Sequence, residues 1–326
     1  MNRRDTVLAL AALGAAPLVP FAQAAGKIPR LCFMTFDPGT MRASRYGAFF
    51  EALRRLGYED GKTIAIDYLS ANGRAEQYSA MAAECTRLKA DVIVASTTPG
   101  AQAAKKSTRT IPIVMLALGD PVGSGLIDSL ARPGGNVTGM SFMAPELAAK
   151  RLEMLKELTP RVSRVLVLTY LADPIAPPQV ERMKNAARTL GVTLHIRDIR
   201  TADDIPAAFD SGAKERVDGL LVTAESIFQV NRGKVIELAA KHKLPTVYTS
   251  QVFPPDGGLM AYSADIPSLY AGAASYVDKI LKGAKPAELP AVQPSEFEFV
   301  INMKTAKTLG IAIPKSFLVR ANKLIE

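Results

Sequence analysis

The stretch DVIVASTTPGAQAAKKSTRTIPIVMLALGDP, residues Asp91 to Pro121, predicts how this chain folds. It contains two apolar runs, Val92–Ala95 and Ile111–Leu118, with a segment of helical character between them. Neither run alternates between apolar and polar residues, which is typical of strands in a parallel sheet that helices cover on both faces. The stretch is therefore predicted to form a βαβ unit.

Polar residues follow both predicted strands. Ser96, Thr97 and Thr98 come after the first run, and Asp120 comes after the second. In parallel sheets the ligand crevice lies beyond the carboxyl ends of the strands. Thr98 before Pro99 resembles an N-cap followed by a proline at the first helical position. Such a helix start directs N–H groups and partial positive charge into the crevice, which suits a carboxylate. The same residues are equally compatible with simple helix capping.

Strand-like and helix-like segments alternate along the rest of the chain, and the alternation restarts after about residue 140. Regular alternation favours α/β architecture, and the restart favours two doubly wound parallel-sheet lobes joined by hinge strands. The predicted organisation is a signal peptide at 1–24, a first lobe at 25–141 plus about 264–294, a second lobe at 142–263, and a tail at 295–326 that straps the lobe junction.

The N-terminal residues have the pattern of an export signal. A basic start precedes an apolar run that ends in Ala22-Gln23-Ala24, the small-residue pattern of a signal peptidase site. No later segment reaches the roughly 18 apolar residues needed to cross a bilayer. We therefore expect a mature protein that begins near Ala25 and resides in the periplasm.

Composition and motifs argue against several function classes. The formal charge of the full chain is +9, but the basic residues are scattered among acidic ones, so the clustered stripe expected of a nucleic-acid-binding surface is missing. His195 and His242 have no partner at metal-ligand spacing, and no nucleophile elbow or dinucleotide fingerprint occurs. Cys32 and Cys85 both fall on apolar stripes, as buried thiols do. We expect a protein that is not an enzyme and has no cofactor.

What remains is a set of polar and aromatic residues at the ends of predicted strands in both lobes. Individually they are compatible with capping or edge packing, but together they line one cleft, the usual place for a small-molecule site. The candidate ligand-binding residues are Ser96, Thr97, Thr98, Asp120, Ser141, Phe142, Tyr170, Thr223, Glu225, Ser250 and Tyr262.

Several long motifs carry a resemblance to a known family: GYEDGKTIAIDY at Gly57–Tyr68, ADVIVASTTPGAQAAK at Ala90–Lys105, IPIVMLALGDPVGSGLIDSLARPGGNVTGMS at Ile111–Ser141 and INMKTAKTLGIAIP at Ile301–Pro314. In these motifs, and from about Ile28 to Glu326, the chain resembles the ABC-transporter substrate-binding proteins associated with tryptophan and tyrosine uptake. The resemblance implies a type I periplasmic-binding-protein fold, delivery of a ligand to a permease with its ATPase, and ligand contacts at Ser96–Thr98, Asp120 and Phe142. The segments Phe36–Arg45 and Leu171–Gln179 are unlike the members that bind amino acids.

The leading hypothesis is a monomeric solute receptor that closes about its hinge on a small carboxylate-bearing ligand, an amino acid or an aromatic compound. The helix start at Thr98 would hold the carboxylate, and Asp120 or Glu225 would meet an ammonium. An aromatic body would stack on Phe142, Tyr170 or Tyr262. Two alternatives remain: a periplasmic ligand-sensing partner of a membrane receptor, and an exported enzyme that uses Asp120 and Glu225 as an acid–base pair.

Overall fold

The structure is a computed structural model that describes residues 28–37 and 46–326. The predicted signal peptide, residues 1–24, lies outside the described residues. In chain order the helices and strands are β1 (Arg30–Thr35), α1 (Gly47–Arg55), β2 (Ala65–Ser70), α2 (Tyr78–Arg87), β3 (Val92–Ala95), α3 (Thr98–Ser107), β4 (Ile113–Leu118), β5 (Val137–Ser141), α4 (Ala144–Leu158), β6 (Arg164–Thr169), α5 (Ala176–Leu190), β7 (Thr193–Asp198), α6 (Asp204–Lys214), β8 (Gly219–Val222), α7 (Ser226–Val230), α8 (Arg232–Lys241), β9 (Val247–Tyr248), β10 (Met260–Ala264), α9 (Ile266–Leu281), β11 (Phe297–Asn302), α10 (Met303–Leu309), α11 (Lys315–Arg320) and β12 (Lys323–Ile325).

The first lobe is built on a parallel sheet with strand order β2-β1-β3-β4-β5. Successive side chains of a strand point to opposite faces. Leu31 and Phe33 of β1 accordingly pack in the apolar cluster of α1 and α9, whereas Cys32 and Met34 pack in the cluster that contains residues of α2 and α3. The predicted βαβ unit is formed by β3, α3 and β4, and the sheet is buried on both faces as its unalternating apolar runs indicate.

The second lobe begins with the parallel sheet β7-β6-β8. A backbone bridge between Leu220 and Thr246 joins β8 to the segment before β9, so the sheet continues into β9-β10-β11-β12. Val165 and Val167 of β6 face the cluster that contains residues of α4 and α5, and Leu166 and Leu168 face the opposite cluster. The chain therefore forms two α/β lobes of similar build, as predicted, and together they make a type I periplasmic-binding fold.

The C-terminal segment differs from the expectation for residues 295–326. β11 pairs antiparallel with β10, and β12 pairs parallel with β11, so the tail supplies two strands to the sheet of the second lobe. Phe299 and Phe317 are buried in the same apolar cluster as Met260. The segment thus adds to a lobe rather than only strapping the junction, because burying its apolar face requires a sheet neighbour.

Within residues 28–37 and 46–326, three segments cross between the lobes: 142–143 after β5, Asp265 after β10, and 293–296 before β11. The second and third are joined by a hydrogen bond from the Asp265 N–H to the Glu296 carbonyl at 3.0 Å. Met143 has φ 58° and ψ 45°, a left-handed conformation that is uncommon for a residue other than glycine. The backbone bend between β5 and α4 is therefore concentrated at one residue of the first crossing.

Cys32 and Cys85 are free thiols inside the first lobe, and both side chains are buried. The hydrogen bond between the two thiols, followed by burial, raises the pKa of Cys85. In the described part of the chain, none of the helices has the length and apolar character required to span a membrane.

Candidate functional site

A cavity of about 240 Å³ lies between the two lobes, close to the first two crossings. Small-molecule sites are concave, mostly apolar and hold a few placed polar groups, with volumes from about 300 Å³ upward. This cavity is slightly smaller, which suits a small ligand. Its lining comprises Ser96, Phe142, Ala224, Ser226, Gln229, Thr249, Ser250, Gln251, Val252, Ile266, Pro267 and Tyr270.

On the first lobe, a chain of hydroxyl groups leads to the cavity. The Tyr46 hydroxyl donates to Ser96 Oγ at 3.0 Å, and it lies 2.8 Å from Thr35 Oγ1. Because the single Tyr46 proton goes to Ser96, Thr35 acts as the donor to Tyr46. Ser96 is thus left with its own proton to donate into the cavity.

The residues after Ser96 start α3, but the cap is one residue earlier than predicted. Thr97, not Thr98, is the N-cap: its backbone is extended and its Oγ1 accepts from the Gly100 N–H at 3.2 Å. Thr97 also donates to the Tyr78 hydroxyl at 2.8 Å, so its side chain is fully used inside the lobe. Thr98 is 3% exposed, and its Oγ1 has no hydrogen-bond partner within residues 28–37 and 46–326.

On the second lobe, Thr249, Ser250 and Gln251 follow β9 and line the cavity. Thr249 is 4% exposed, and for its Oγ1 the described residues provide no hydrogen-bond partner. Gln251 Oε1 accepts from Ser263 Oγ at 3.1 Å, which orients its amide nitrogen as a donor.

Sequence reasoning selected Ser250 but missed its neighbours. β9 ends at Tyr248, so the segment that follows the strand begins at Thr249 and includes Gln251 as well as Ser250. Ile266, Pro267 and Tyr270 were missed as well; they lie in the first turns of α9 at helical spacing. The Tyr270 ring centroid is 5.5 Å from that of Tyr46.

Asp120 is engaged in a turn of the first lobe. Its Oδ1 accepts from the Gly123 N–H at 2.8 Å, and a Cβ added at position 123 would clash with Asp120 Oδ2. The carboxylate therefore folds over its own loop and does not line the cavity. Ser141, at the end of β5, is buried, and its N–H donates to the Val292 carbonyl at 2.8 Å, while Phe142 next to it reaches the cavity.

Glu225 is held in the interior of the second lobe and is 1% exposed. Its Oε1 accepts from Gln179 Nε2 at 3.1 Å, and its Oε2 bonds the Thr223 hydroxyl, which also lies 3.1 Å from the Leu168 carbonyl. Burial, followed by the charge of Asp173, raises the pKa of Glu225 to about 8. One Thr223 proton cannot serve two acceptors, and a proton on Glu225 resolves the conflict by leaving Thr223 to donate to Leu168.

Two predicted aromatic contacts lie away from the cavity lining. The Tyr262 ring stacks on Phe297 at 6.0 Å, and its carbonyl accepts from Arg151 Nε at 2.9 Å. Tyr170, after β6, is half-buried against the apolar core, and burial raises the pKa of its phenol.

The cavity thus brings together Ser96, Phe142 and Ser250 from the predicted set. The described residues that do not line it from that set are Thr97, Thr98, Asp120, Ser141, Tyr170, Thr223, Glu225 and Tyr262. In the described ranges, no group of three or more His, Cys, Asp and Glu side chains is arranged to hold a metal ion. The lining chemistry is that of hydroxyl, amide and aromatic groups, which bind by hydrogen bonding and packing.

Comparisons with known proteins agree with this architecture. The curated tyrosine-binding protein of Clostridioides difficile is 30% identical over 264 residues, which cover 81% of this chain and 75% of the relative. A solved ABC domain from Streptococcus pneumoniae in complex with L-Trp is 28% identical, with a TM-score of 0.84 over 91% of this chain and 99% of the other. A conserved domain protein from Vibrio cholerae is 28% identical, with a TM-score of 0.85 over 91% and 100% of the two chains.

More distant structures share the fold alone. The solute-binding protein of a 5-methylthioribose transporter from Thermotoga lettingae is 14% identical, with a TM-score of 0.61 over 90% of this chain and 97% of the other.

The family model of ABC transporter substrate binding proteins matches residues 37–325, almost the whole described chain. The matched family consists of substrate-binding proteins, and the curated relative is a tyrosine-binding protein. Both agree with the prediction that the chain is not an enzyme. The chain belongs to the ABC transporter substrate-binding protein family.

Proposed function

We propose that this protein is the periplasmic solute-binding component of an ABC importer. It captures a small carboxylate-bearing ligand, an amino acid or an aromatic compound, between its lobes and delivers it to an inner-membrane permease with its ATPase. The observation that carries the proposal is the cavity of about 240 Å³ at the carboxyl ends of the strands, lined from both lobes next to two crossings. Relatives named for tyrosine and solved with L-Trp support this ligand range.

Capture works by closure of the lobes about their crossings. A ligand that contacts Ser96 on one lobe and Ser250 on the other stabilises the closed arrangement over the open one, and its differential affinity sets the size of the shift. The permease recognises the closed shape. No covalent step is required.

The remaining parts of the proposal concern the whole chain. Residues 1–24 serve as the export signal, residues 25–141 with about 264–294 form the first lobe, and residues 142–263 form the core of the second. The mature protein acts as a monomer. Its partners are the ligand and the permease, without nucleic acid.

Two measurements test the proposal. Native mass spectrometry of mature protein purified without denaturation should detect a retained ligand, and a panel of amino acids, aromatic acids and small carboxylates should contain compounds that raise the melting temperature. Saturation at about 100 times the dissociation constant adds roughly 2.7 kcal/mol of stability. A chain that retains nothing and shows the same melting temperature across the panel is not the solute receptor proposed. Co-purification with a membrane sensor in place of a permease would favour the sensing alternative.

A further inference from the structure

Arg151 of α4 is a buried cation with an incomplete set of partners. The residue is 1% exposed, and within the described residues its guanidinium makes one hydrogen bond, from Nε to the Tyr262 carbonyl at 2.9 Å. Its Nη2 is buried and finds no partner in residues 28–37 and 46–326. Buried charges are ordinarily paired, so the guanidinium has donors left for an acceptor that the described chain does not supply.

Glu225 is the carboxyl group whose charge acts on Arg151, but it does not neutralise the guanidinium. Its two oxygens are bonded to Gln179 and Thr223. Burial, followed by the charge of Asp173, raises the pKa of Glu225 to about 8, so this group is mainly protonated at neutral pH. Burial lowers the pKa of Arg151 to about 9, so the guanidinium is still charged there.

The guanidinium lies beside the strand end from which Thr249 enters the cavity lining. β9 pairs in parallel with β10 as far as Tyr248 and Ala261. In that register the next pair would be Thr249 with Tyr262, but the Tyr262 carbonyl accepts from Arg151. Because α4 packs against β8, β9 and β10, the positive charge is next to the second-lobe side of the cavity.

Thr249 provides an independent indication of a ligand at this place. It lines the cavity and is 4% exposed, and its Oγ1 has no hydrogen-bond partner among the described residues. A buried hydroxyl without a partner costs free energy that a bound acceptor recovers. The described lining residues are uncharged, so the positive charge that a carboxylate needs comes from Arg151 behind them.

We propose that Arg151 and Thr249 form the subsite that holds the carboxylate of an amino-acid ligand. Thr249 donates a hydrogen bond from the cavity lining, and Arg151 supplies the positive charge. The inference rests on the proposed function and deepens it, because it assigns the carboxylate to the second lobe and not to the start of α3. The ammonium and the side chain of the ligand occupy the rest of the cavity.

The test compares amino acids with their amides, which keep the ammonium and lose the negative charge. L-Tryptophan, L-tyrosine, L-phenylalanine and their amides are titrated calorimetrically into the mature protein and into Arg151→Met. An amino acid that binds the wild type should be preferred over its amide by about tenfold or more, and Arg151→Met should remove most of this preference. Equal losses of affinity for amino acid and amide, as a structural role predicts, overturn the inference.

Two further measurements on Arg151 separate ligand recognition from folding. Arg151→Lys keeps the charge and should keep more of the preference than Arg151→Met. Because Arg151→Met removes a buried charge that lacks a counter-ion, the melting temperature of the ligand-free protein should stay the same or rise. A lower melting temperature with an unchanged preference makes Arg151 a structural residue and overturns the inference. If Arg151→Met does not fold, Arg151→Gln takes its place.

Thr249→Val and Thr98→Val compare the two candidate positions for the carboxylate. Both residues are buried threonines whose Oγ1 has no partner among the described residues, but Thr249 lines the cavity and Thr98 does not. Thr249→Val should weaken binding of the amino acid by about fivefold, and Thr98→Val should weaken it less. A loss at Thr98→Val that equals or exceeds the loss at Thr249→Val overturns the inference.

Native mass spectrometry of the mature protein decides the case in which none of the six compounds binds. A retained ligand without a carboxylate overturns the inference and leaves the solute-receptor function intact. A retained ligand with a carboxylate is compared with its amide in the same variants. A protein that retains no ligand and binds none of the compounds fails the proposed function itself.

Discussion

In the first lobe, the hydroxyl groups of Thr35, Tyr46 and Ser96 form a hydrogen-bonded chain in which each oxygen atom orients the next. Tyr46 is fully buried, its ring packs edge-on against Phe33 at 5.0 Å, and only its hydroxyl reaches toward the cavity residue Ser96. The phenol therefore positions a donor without touching the ligand space itself.

Tyr46→Phe should weaken ligand binding by roughly fivefold, because the net value of such a hydrogen bond is about 1 kcal/mol and Ser96 loses the partner that orients it. The matched control is Tyr58→Phe, which removes a phenol that follows the C-terminal end of α1, the end opposite Tyr46, and is bonded to Asp278 Oδ1 at 3.0 Å. Calorimetric titration of both variants should show the loss only for Tyr46. Equal affinities would mean that Ser96 is not a ligand donor.

Glu225 is predicted to make stability depend on pH. Its pKa in the folded protein, about 8, lies above the ordinary value of 4.5, so the folded state binds more protons than the unfolded state between these values. The stability that the protonated Glu225 contributes is therefore fully present below about pH 4.5. As the pH rises toward 8, this contribution is lost by up to about 1.4 kcal/mol per pH unit. Asp173, with its pKa raised to about 6 by burial, adds to the fall in the lower part of this range.

Glu225→Gln supplies the comparison, because the amide keeps the shape of the protonated acid and can still bond Thr223 and Gln179. Melting temperatures measured from pH 5 to pH 8 should decline less steeply for this variant than for the wild type. Parallel curves would show that Glu225 is ionised in the folded protein.

At the scale of elements, α3 shows how a helix start serves both stability and the cleft. Thr97 caps the helix through the Gly100 N–H, and the proline in the first turn is tolerated because its missing N–H would have no partner in the helix. The hydroxyl of Thr98, for which the described residues provide no hydrogen-bond partner, contributes nothing comparable to this cap.

Thr97→Ala should lower the free energy of unfolding by about 1 kcal/mol, the usual value of an N-cap, with an added loss from the bond to Tyr78. Thr98→Val should leave stability within about 0.5 kcal/mol, since no bond between described residues is removed. Urea denaturation of the two variants measures the difference. A larger loss of unfolding free energy for Thr98→Val than for Thr97→Ala would mean that Thr98 caps the helix, as predicted from the sequence.

For the whole molecule, the relevant feature is the contact between lobes at Gly119. A Cβ at this position would lie 3.0 Å from the Ala144 Cβ and 3.2 Å from the Ile175 Cβ, both in the second lobe. Glycine after β4 therefore allows the lobes to approach each other beside the cavity.

Gly119→Val should hold the lobes apart, since its larger side chain cannot fit at these distances. Ligand affinity should fall at least tenfold, and the radius of gyration from small-angle X-ray scattering should contract less on ligand addition than in the wild type. Gly135→Val is the matched control, because a Cβ there meets no atom within 4 Å. Wild-type ligand affinity in Gly119→Val would show that the two lobes do not touch at this position in the closed state.

The periodicity of the sequence was sufficient to predict the α/β class, two lobes and a cleft at strand ends, because hydrophobic period and strand-end chemistry are local. Ser96, Phe142 and Ser250 were identified in this way, since each lies within two residues of a predicted strand end. Thr249 and Gln251 were missed because the end of a short strand depends on its sheet neighbours, and Tyr270 was missed because it approaches the cavity from a helix.

By itself, the sequence determined the fold class, the family resemblance and the line of polar residues after the strands, all of which follow from neighbours along the chain. Only the tertiary structure decided which side chains face the ligand. Glu225 meets Gln179, 46 positions away, and is enclosed by this contact, whereas Tyr46 meets Ser96, 50 positions away, and turns it into a donor. Burial and hydrogen bonding between distant residues set the charge and direction of each group, and neither can be inferred from its place in the chain.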